Sequence, residues 1–268
     1  MKYVVTGGAG FIGSNLVNEL LSDGHEVHII DDLSTGQKRN VNPMATFHKI
    51  DISRISNNLN LNEIFKGVDT VFHCAARARV QASIQDPVNY EKNNNLSLIN
   101  VLKKCVDVNV RRFVYSASSS VYGPTNKLPS KEDDVINPIS PYAVQKYYGE
   151  VACKMFSEVY NIETVSLRYF NVYGENQNLD GAYATVIGIF LNQFNNKQPL
   201  TINGNGKQRR DFTYVGDVVK ANILASNSLK VGKGEVINIG SGVNISINDV
   251  ANMIGNVFEY KEALKEPF

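Results

Sequence analysis

The chain has 268 residues, enough for one large domain or a domain and a half and too many for a short peptide. Hydrophobic residues make up 43% and charged residues 20%, the proportions of an ordinary globular protein rather than a disordered one. Lys plus Arg (27) and Asp plus Glu (26) leave a net charge of +1, which excludes the strong basic field of nucleic-acid or anionic-membrane binders. The composition therefore predicts small molecules or other proteins as partners.

The three cysteines, Cys74, Cys105 and Cys153, are widely spaced and include no C-x-x-C pair. An odd number at such spacing favours neither a disulfide framework nor a zinc site. No apolar run approaches the ~18 residues of a membrane-spanning helix, and the glycine-rich start does not resemble a signal peptide. We therefore expect a cytoplasmic protein with no metal centre and no membrane partner.

Short apolar runs alternate with longer amphipathic ones through the first 170 residues, which is typical of βαβ units. Predicted strands lie at Tyr3–Thr6, Glu26–Ile30, Thr46–Ile50, Thr70–His73, Arg112–Ser116 and Glu163–Leu167. Predicted helices lie at Ile12–Leu21, Asn95–Val106 and Tyr142–Tyr160, where apolar residues recur at helical spacing. The pattern predicts an α/β fold with a Rossmann-type, doubly wound parallel sheet.

The pattern changes from about Asn171, where Gly, Asn and Gln cluster in GENQNLDG. A helix is expected at Ala182–Phe194, and a strand at Glu235–Ile239 is expected to return to the main sheet. We therefore expect a first domain over residues 1–170 and a smaller C-terminal substrate-binding region over residues 171–268.

The segment YVVTGGAGFIG near the N-terminus places Gly7, Gly10 and Gly13 between a strand and a helix. Glycines let the backbone approach a pyrophosphate closely, and the N-terminus of the helix attracts its charge. The next strand ends in Asp31 and Asp32, where a carboxylate accepts hydrogen bonds from ribose hydroxyls and repels the 2′-phosphate of NADP. The combination predicts that the first domain binds NAD.

Tyr142 and Lys146 stand as YAVQK, and residues i and i+4 of a helix lie on one face. A free phenol has a pKa near 10, so a neighbouring ammonium group is needed for it to act as a base near neutral pH. This spacing is common on amphipathic helices, and its catalytic interpretation depends on context. That context is SASSSVYG (116–123), which ends a predicted strand where doubly wound sheets place their ligands.

Seven motifs together resemble the extended short-chain dehydrogenase/reductase family and, within it, nucleotide-sugar 4-epimerases of the UDP-glucose (UDP-galactose) type. The motifs are TGGAGFIG, DDLSTG, HCAA, SASSSVYG, SPYAVQK, RYFNVYG and RRDFTYV, and they extend over essentially the whole chain. The resemblance implies NAD-dependent epimerisation at C4 of a UDP-linked hexose or N-acetylhexosamine through a transient 4-keto intermediate. It also implies a homodimer formed through helices near residues 95–108 and 142–160.

The resemblance and the glycine-rich motif together assign roles to three sets of residues. The implied catalytic residues are Ser118, Tyr142 and Lys146. The implied cofactor-binding residues are Gly7, Gly10, Phe11, Ile12, Gly13, Asp31, Asp32, Ser34, Thr35, Gly36, Asp51, Ile52, Cys74, Ala75, Ala76, Asn94, Ser116, Tyr142, Lys146 and Tyr169. The implied substrate-binding residues are Ser118, Ser119, Ser120, Tyr142, Asn171 and Arg210.

Two of these residues have an alternative structural interpretation. Asp51 either faces the adenine or is an acid in a turn at a strand end, and Arg210 either binds the diphosphate or pairs with Asp211. The other residues considered, Arg77, Arg79 and His73, are expected to be solvated or to pack at a strand end.

Three alternatives concern the activity. Dehydratases of the family place Asp-Glu directly after the catalytic hydroxyl, whereas this chain has Ser119 and Ser120 there, which favours epimerisation. A dehydratase or reductase of the same fold and a non-catalytic NAD-binding protein remain alternatives.

The family typically continues with Arg-x-Gly-Asp and a residue that gates N-acetyl sugars, whereas the chain stops at KEALKEPF. We therefore expect either a truncated chain or a natural short form with an open substrate site, and the sequence does not specify the sugar.

Overall fold

The computed structural model describes residues 1–54, 60–125, 127–179, 184–255 and 257–262. The strands are β1 (Lys2–Thr6), β2 (Glu26–Asp31), β3 (Thr46–Lys49), β4 (Thr70–His73), β5 (Arg112–Ser118), β6 (Glu163–Tyr169), β7 (Val172–Tyr173), β8 (Leu200–Asn203), β9 (Arg209–Asp211), β10 (Thr213–Tyr214), β11 (Lys233–Ile239), β12 (Asn244–Ser246) and β13 (Phe258–Lys261). The α-helices are α1 (Phe11–Ser22), α2 (Asn60–Phe65), α3 (Val80–Gln85), α4 (Pro87–Glu91), α5 (Ser97–Asp107), α6 (Pro141–Tyr160), α7 (Val186–Asn195), α8 (Val215–Asn227) and α9 (Ile247–Ile254).

The centre of the described chain is a seven-stranded parallel sheet in the order β11-β6-β5-β4-β1-β2-β3. The chain passes from β1 outward to β2 and β3, and then returns to β4 on the other side of β1. The direction of winding therefore reverses between β1 and β4, and the carboxyl ends of strands at such a switch point bind ligands in α/β proteins. This topology confirms the predicted Rossmann-type sheet.

The predicted strands agree with the structure because parallel strands covered on both faces are continuously apolar. In β4 all four residues are buried, and in β1 four of five are. One apolar core packs beneath α2, α5 and α6, and a second packs beneath α1 and α8 on the opposite face. Strand β11 pairs with β6, so the expected return of the chain to the main sheet is confirmed.

Helix predictions were less complete than strand predictions. Helices α1 and α6 lie where helical spacing predicts them, but the predicted helix from Asn95 is preceded by a π-helical stretch at Lys92–Leu96. Helix α7 begins at Val186, four residues after the expected start, and residues 182 and 183 lie outside the described ranges. Helices α2, α3, α4, α8 and α9 were not predicted.

The part of the chain after β6 forms a small core of its own. In the described residues, two small sheets, β8 with β13 and β9 with β12, pack with α7 and α9, and a third, β7 with β10, packs against α8. The core packs Phe190, Leu200, Ile202, Ile247 and Val250 together. This region carries the loops that follow β6 and β7, beside the switch point of the main sheet.

Candidate active site

The glycine-rich turn brings the N-terminus of α1 against the carboxyl ends of β1 and β4. Gly7 has φ of +71°, and a Cβ there would lie 2.7 Å from the backbone nitrogen of Ala75. A Cβ at Gly13 would collide with the Gly7 carbonyl oxygen. Gly10 immediately precedes α1, whose first N–H groups have no partners within the helix. Neither Gly7 nor Gly13 could carry a side chain, because backbone atoms fill that space, and this close packing leaves the N-terminus of α1 free to face a pyrophosphate.

A cleft of about 290 Å³ opens along this edge of the sheet. Fourteen of the predicted cofactor-binding residues line it, namely Gly7, Gly10, Phe11, Ile12, Gly13, Asp31, Asp32, Ser34, Thr35, Asp51, Ile52, Cys74, Ala75 and Ala76. Other residues line the cleft although the sequence did not predict them for this role, among them Arg77, Arg79, Asn93, Val172, Gln177, Asn178 and Thr185. The cleft thus runs from the loop after β2 to the loop after β4.

Asp31 both shapes the cleft and faces it. Its carboxylate accepts hydrogen bonds from the backbone N–H groups of Ala9 (3.0 Å) and Leu33 (2.8 Å). Burial raises the pKa of Asp31, and the two backbone hydrogen bonds partly offset this effect. Gly36 does not line the cleft but packs on Asp31, because a Cβ at Gly36 would lie 2.8 Å from Asp31 Oδ1. Asp32 accepts a hydrogen bond from the Ser34 N–H at 2.8 Å.

Asp51 combines the two interpretations that its position allowed. It lines the cleft, and its carboxylate also accepts a 2.9 Å hydrogen bond from the Ser53 N–H and pairs with Arg54 at 3.2 Å. Burial alone would raise the pKa of Asp51, but the Ser53 hydrogen bonds and the Arg54 charge outweigh it and hold that pKa below its ordinary value. Asp51 is therefore a turn acid that also lines the cleft, and its contact with an adenine stays a prediction.

Ser118, Tyr142 and Lys146 come together beside the other end of the cleft. Ser118 ends β5, and Tyr142 lies in the first turn of α6, where the Ser140 hydroxyl caps the helix by accepting the Ala143 N–H at 3.2 Å. Burial raises the pKa of Tyr142, and a hydrogen bond with the Ser118 side chain lowers it. The Tyr142 phenol and the Ser118 hydroxyl, which are predicted to be catalytic, thus lie in contact.

Lys146 lies one helical turn after Tyr142 and is only 4% exposed. Its ammonium group donates a 2.7 Å hydrogen bond to the Ser116 carbonyl and lies 5.9 Å from the centre of the Tyr142 ring. The Ser116 hydroxyl in turn donates to the Cys74 sulfur at 3.4 Å, and Cys74 lines the cleft. Ser116 therefore links Lys146 to Cys74, which lines the cofactor cleft.

The remaining predicted residues support the site without lining the cleft. The Asn94 amide clamps the Arg77 backbone, accepting its N–H at 2.7 Å and donating to its carbonyl at 3.2 Å. Tyr169 is buried in the sheet, where its hydroxyl lies 3.2 Å from Ser116 Oγ and bonds to Asn222. Their direct contact with a cofactor stays a prediction.

The predicted diphosphate ligands, Asn171 and Arg210, do not line the cleft and lie after β6 and in β9. The Asn171 amide donates a 2.8 Å hydrogen bond to the Asp211 carbonyl and so joins β6 to β9. Arg210 is exposed in β9, and its guanidinium donates to the Arg209 carbonyl at 2.8 Å. The ion pairs of the described residues include none between Arg210 and Asp211, so the guanidinium remains available to an anion.

Comparison with known proteins agrees with this geometry. Residues 3–240 match the model of the NAD-dependent epimerase/dehydratase family. The chain belongs to this family. A relative from Methanocaldococcus jannaschii, named "Putative UDP-glucose 4-epimerase", is 43% identical over 94% of this chain and 80% of its own length.

Two solved structures of epimerases resemble the fold closely. The UDP-N-acetylglucosamine 4-epimerase of Methanobrevibacter ruminantium, in complex with UDP-N-acetylmuramic acid, is 37% identical with a TM-score of 0.91, over 98% of this chain and 86% of that one. The UDP-glucose 4-epimerase of Thermotoga maritima, with UDP-glucose, is 34% identical with a TM-score of 0.92, over 99% and 87%. Both cover the sheet, the cleft and the small second core.

The cleft suits the dinucleotide that gives the epimerase/dehydratase family its name. The N-terminus of α1 lines the cleft and suits a pyrophosphate, and the buried Asp31 carboxylate offers an acceptor to ribose hydroxyls. The part of the chain that the structure describes holds no cluster of three His, Cys, Asp or Glu side chains able to bind a metal ion. No described helix is long and apolar enough to cross a bilayer.

The buried ammonium group of this family member makes its stability depend on pH. Burial lowers the pKa of Lys146 to about 8, whereas the nearby Cys74 and Glu150 oppose the shift. An unfolded lysine has a pKa of about 10.4, so between these values the unfolded chain binds the extra proton and the free energy of unfolding rises with pH. Below about pH 8 the full cost of burying the charge is present.

We expect the wild type to gain about 3 kcal/mol relative to Lys146→Met between pH 7.5 and pH 10.5, from 1.36 kcal/mol per pKa unit. Urea unfolding at both pH values measures the gain. Lys103→Met, which removes an exposed ammonium from α5, serves as the control and should show no such difference. A wild-type advantage that is the same at both pH values would contradict the prediction.

Proposed function

We propose that the chain inverts the configuration at C4 of a UDP-linked hexose or N-acetylhexosamine, with NAD held in the cleft throughout. The contact of Tyr142 with Ser118 and the nearby Lys146, beside a cleft suited to NAD, carries this proposal. The named relatives support a UDP-sugar substrate, since they include epimerases of UDP-glucose and of UDP-N-acetylglucosamine.

The protein side of the reaction is proton transfer and orientation. Bound NAD supplies a hydride acceptor for C4 and the means of returning the hydride. Tyr142 takes the proton of the sugar 4-hydroxyl, and Ser118 shares a hydrogen bond with that oxygen. The Lys146 ammonium favours the phenolate form of Tyr142 by Coulomb attraction, and its hydrogen bond to the Ser116 carbonyl fixes its position.

The residues after the catalytic hydroxyl favour epimerisation over elimination. A dehydratase needs an acid and a base near the sugar, whereas Ser119 and Ser120 form the short helical turn that follows Ser118. Ser120 donates its backbone N–H to the Ser118 oxygen at 3.2 Å. Hydroxyl groups at these positions can bind sugar oxygens but do not supply a carboxylate for loss of water.

A sugar assay tests the proposal. The chain is incubated with NAD+ and either UDP-glucose or UDP-N-acetylglucosamine, the products are identified by NMR, and the absorbance at 340 nm is followed. We expect a C4-inverted sugar with constant absorbance. Accumulating NADH would indicate a reductase, a stable 4-keto product would indicate a dehydratase, and no product despite NAD binding would favour a binding protein.

We also propose a homodimer through α5 and α6. The support is an exposed apolar and aromatic face on α6, formed by Val144, Tyr147, Tyr148, Val151, Met155 and Val159. Such a face on a monomer marks an interaction surface. Sedimentation equilibrium should give twice the mass of one chain, and the mass of a single chain would contradict the proposal.

Which part of the chain binds NAD and which binds the sugar nucleotide is also a proposal. Residues 1–170 together with β11 would form most of the NAD site, to which Gln177 and Asn178 add a wall, and the rest of residues 171–268 would bind the sugar nucleotide. The three free thiols, Cys74, Cys105 and Cys153, support a reducing cytoplasmic location.

A further inference from the structure

One segment from beyond the predicted domain boundary forms part of the cofactor cleft. Residues 174–178, here called the strap, follow β7. Gln177 and Asn178 of the strap line the cleft together with Thr35 from the loop after β2 and Phe11 from α1. A dinucleotide in the cleft would therefore lie between the glycine-rich helix and the strap.

Hydrogen bonds tie the strap to both sides of the Rossmann edge. Asn178 Oδ1 accepts a 2.6 Å hydrogen bond from Gln37 Nε2 in the loop after β2. On the other side, the Asn15 amide of α1 donates to the Glu175 carbonyl at 2.8 Å. The Asn176 amide donates to Ser14 Oγ at 3.1 Å. The Gln37–Asn178 bond thus joins two walls of the cleft.

The strap is held in one shape by its own contacts. Asn176 has φ of +63°, a left-handed conformation that Asn tolerates better than most residues. The Gln177 side chain is 8% exposed, accepts the Gly174 N–H at 3.4 Å and donates to the Thr185 hydroxyl. Asn178 is therefore presented to the cleft by a preformed loop.

We infer that Asn178, braced by Gln37, contacts the bound dinucleotide and slows its release. The Asn178 oxygen is occupied by Gln37, so its N–H groups are the side-chain donors left for phosphate or ribose oxygens. The inference rests on the proposed function, because NAD that is regenerated in place must stay bound between turnovers. The strap contacts none of Ser118, Tyr142 and Lys146 in the described hydrogen bonds, so its effect is on retention rather than proton transfer.

Release of NADH measures this effect without any sugar. Protein loaded with NADH is mixed with excess NAD+, and the loss of bound-NADH fluorescence gives the dissociation rate. We expect Asn178→Ala to raise the rate about tenfold, the factor that corresponds to 1.4 kcal/mol. Gln37→Ala should raise it by a smaller factor. The double variant should match Asn178→Ala, because both changes remove the same bracing bond.

Two further variants separate cofactor contact from a structural role. Asn178→Asp keeps an acceptor for Gln37 but places a negative charge near phosphates, so the rate should rise as much as in Asn178→Ala. Asn196→Ala removes an exposed amide that bonds only to Asn192 at the end of α7, and it should release NADH at the wild-type rate.

The outcomes distinguish this inference from the proposed function. Wild-type rates in Asn178→Ala and Asn178→Asp, with unchanged thermal unfolding, would overturn the role of Asn178 alone. A wild-type rate in Asn178→Asp only would show that Asn178 acts as a brace and not as a cofactor ligand, which also overturns the inference. Absence of a C4-inverted sugar, with the expected release rates, would contradict only the epimerase proposal. A chain that does not bind NADH would overturn both.

Discussion

Replacing Tyr142 with Phe is expected to lower kcat by about 10²–10⁴-fold, the usual contribution of a positioned acid–base group. The ring fills the same space, so the hydrogen-bonding hydroxyl is the only group removed. Lys146 keeps its hydrogen bond to the Ser116 carbonyl, because that bond does not involve the phenol. NADH affinity, measured by fluorescence titration, should therefore remain within a few-fold of wild type while the rate of C4 inversion falls.

The size of this effect follows from the surroundings of the phenol. Burial raises the pKa of Tyr142, so the protein alone does not make it a base at neutral pH, and the Ser118 hydrogen bond only partly offsets burial. The positive charges of Lys146 and of the nicotinamide must therefore lower the pKa of Tyr142 further for the phenol to act as a base. Under the proposed function, Tyr142 would have a lower pKa in protein that holds NAD+ than in protein without it.

A matched variant on the same helix controls for loss of a phenol. Tyr160→Phe removes the hydroxyl of a Tyr that is 44% exposed at the end of α6, and it should leave kcat unchanged. If Tyr142→Phe kept more than a tenth of wild-type kcat, another group would be the base. Loss of NADH binding in Tyr142→Phe would instead mean that the phenol holds the cofactor.

The nucleotide half of the site was predictable from sequence because its physics is local. A strand, a glycine-rich turn and a helix follow one another within YVVTGGAGFIG, and Asp31 ends the next strand of the sheet. Parallel strands end at one edge, so these groups must meet there. The structure places all of them along one cleft.

The other wall of the cleft could not be predicted in the same way. The polar run GENQN predicts a loop, but the run does not show that Gln177 and Asn178 line a cleft with residues from much earlier in the chain. Asn178, for example, accepts a hydrogen bond from Gln37, which lies 141 positions earlier. Only the path of β7, which pairs with β10 rather than the main sheet, carries them there. Similarly, the Arg77 backbone is positioned by Asn94, a tertiary contact that a motif does not record.

Substituting Glu150 by Gln is expected to lower the free energy of unfolding by about 3–5 kcal/mol, the usual cost of breaking a buried ion pair. Glu150 of α6 and Arg168 of β6 are each 3% exposed and form two hydrogen bonds, of 2.8 and 2.7 Å. The guanidinium also donates to the Tyr122 hydroxyl at 2.8 Å. Gln would leave this buried cation without a counter-charge.

Urea or thermal unfolding measures the loss, and at about 2–4 °C per kcal/mol for a large domain the melting temperature should fall by roughly 10 °C. Glu158→Gln on the same helix is the matched control. It breaks an exposed pair with Lys154 at 3.9 Å, in which both side chains are 64% exposed, and such pairs contribute little. A Glu150→Gln variant as stable as Glu158→Gln would contradict the prediction.

Replacing both members of the pair separates unpaired charge from lost packing. In Glu150→Met with Arg168→Met, no ion is left buried, and stability should recover relative to Glu150→Gln. The double variant also removes the Glu150 charge that helps to hold the pKa of Lys146 up, because burial lowers that pKa to about 8 even with Glu150 present. The pH above which activity changes through Lys146 should then move downward, so the ion pair links the stability of α6 to the charge beside Tyr142.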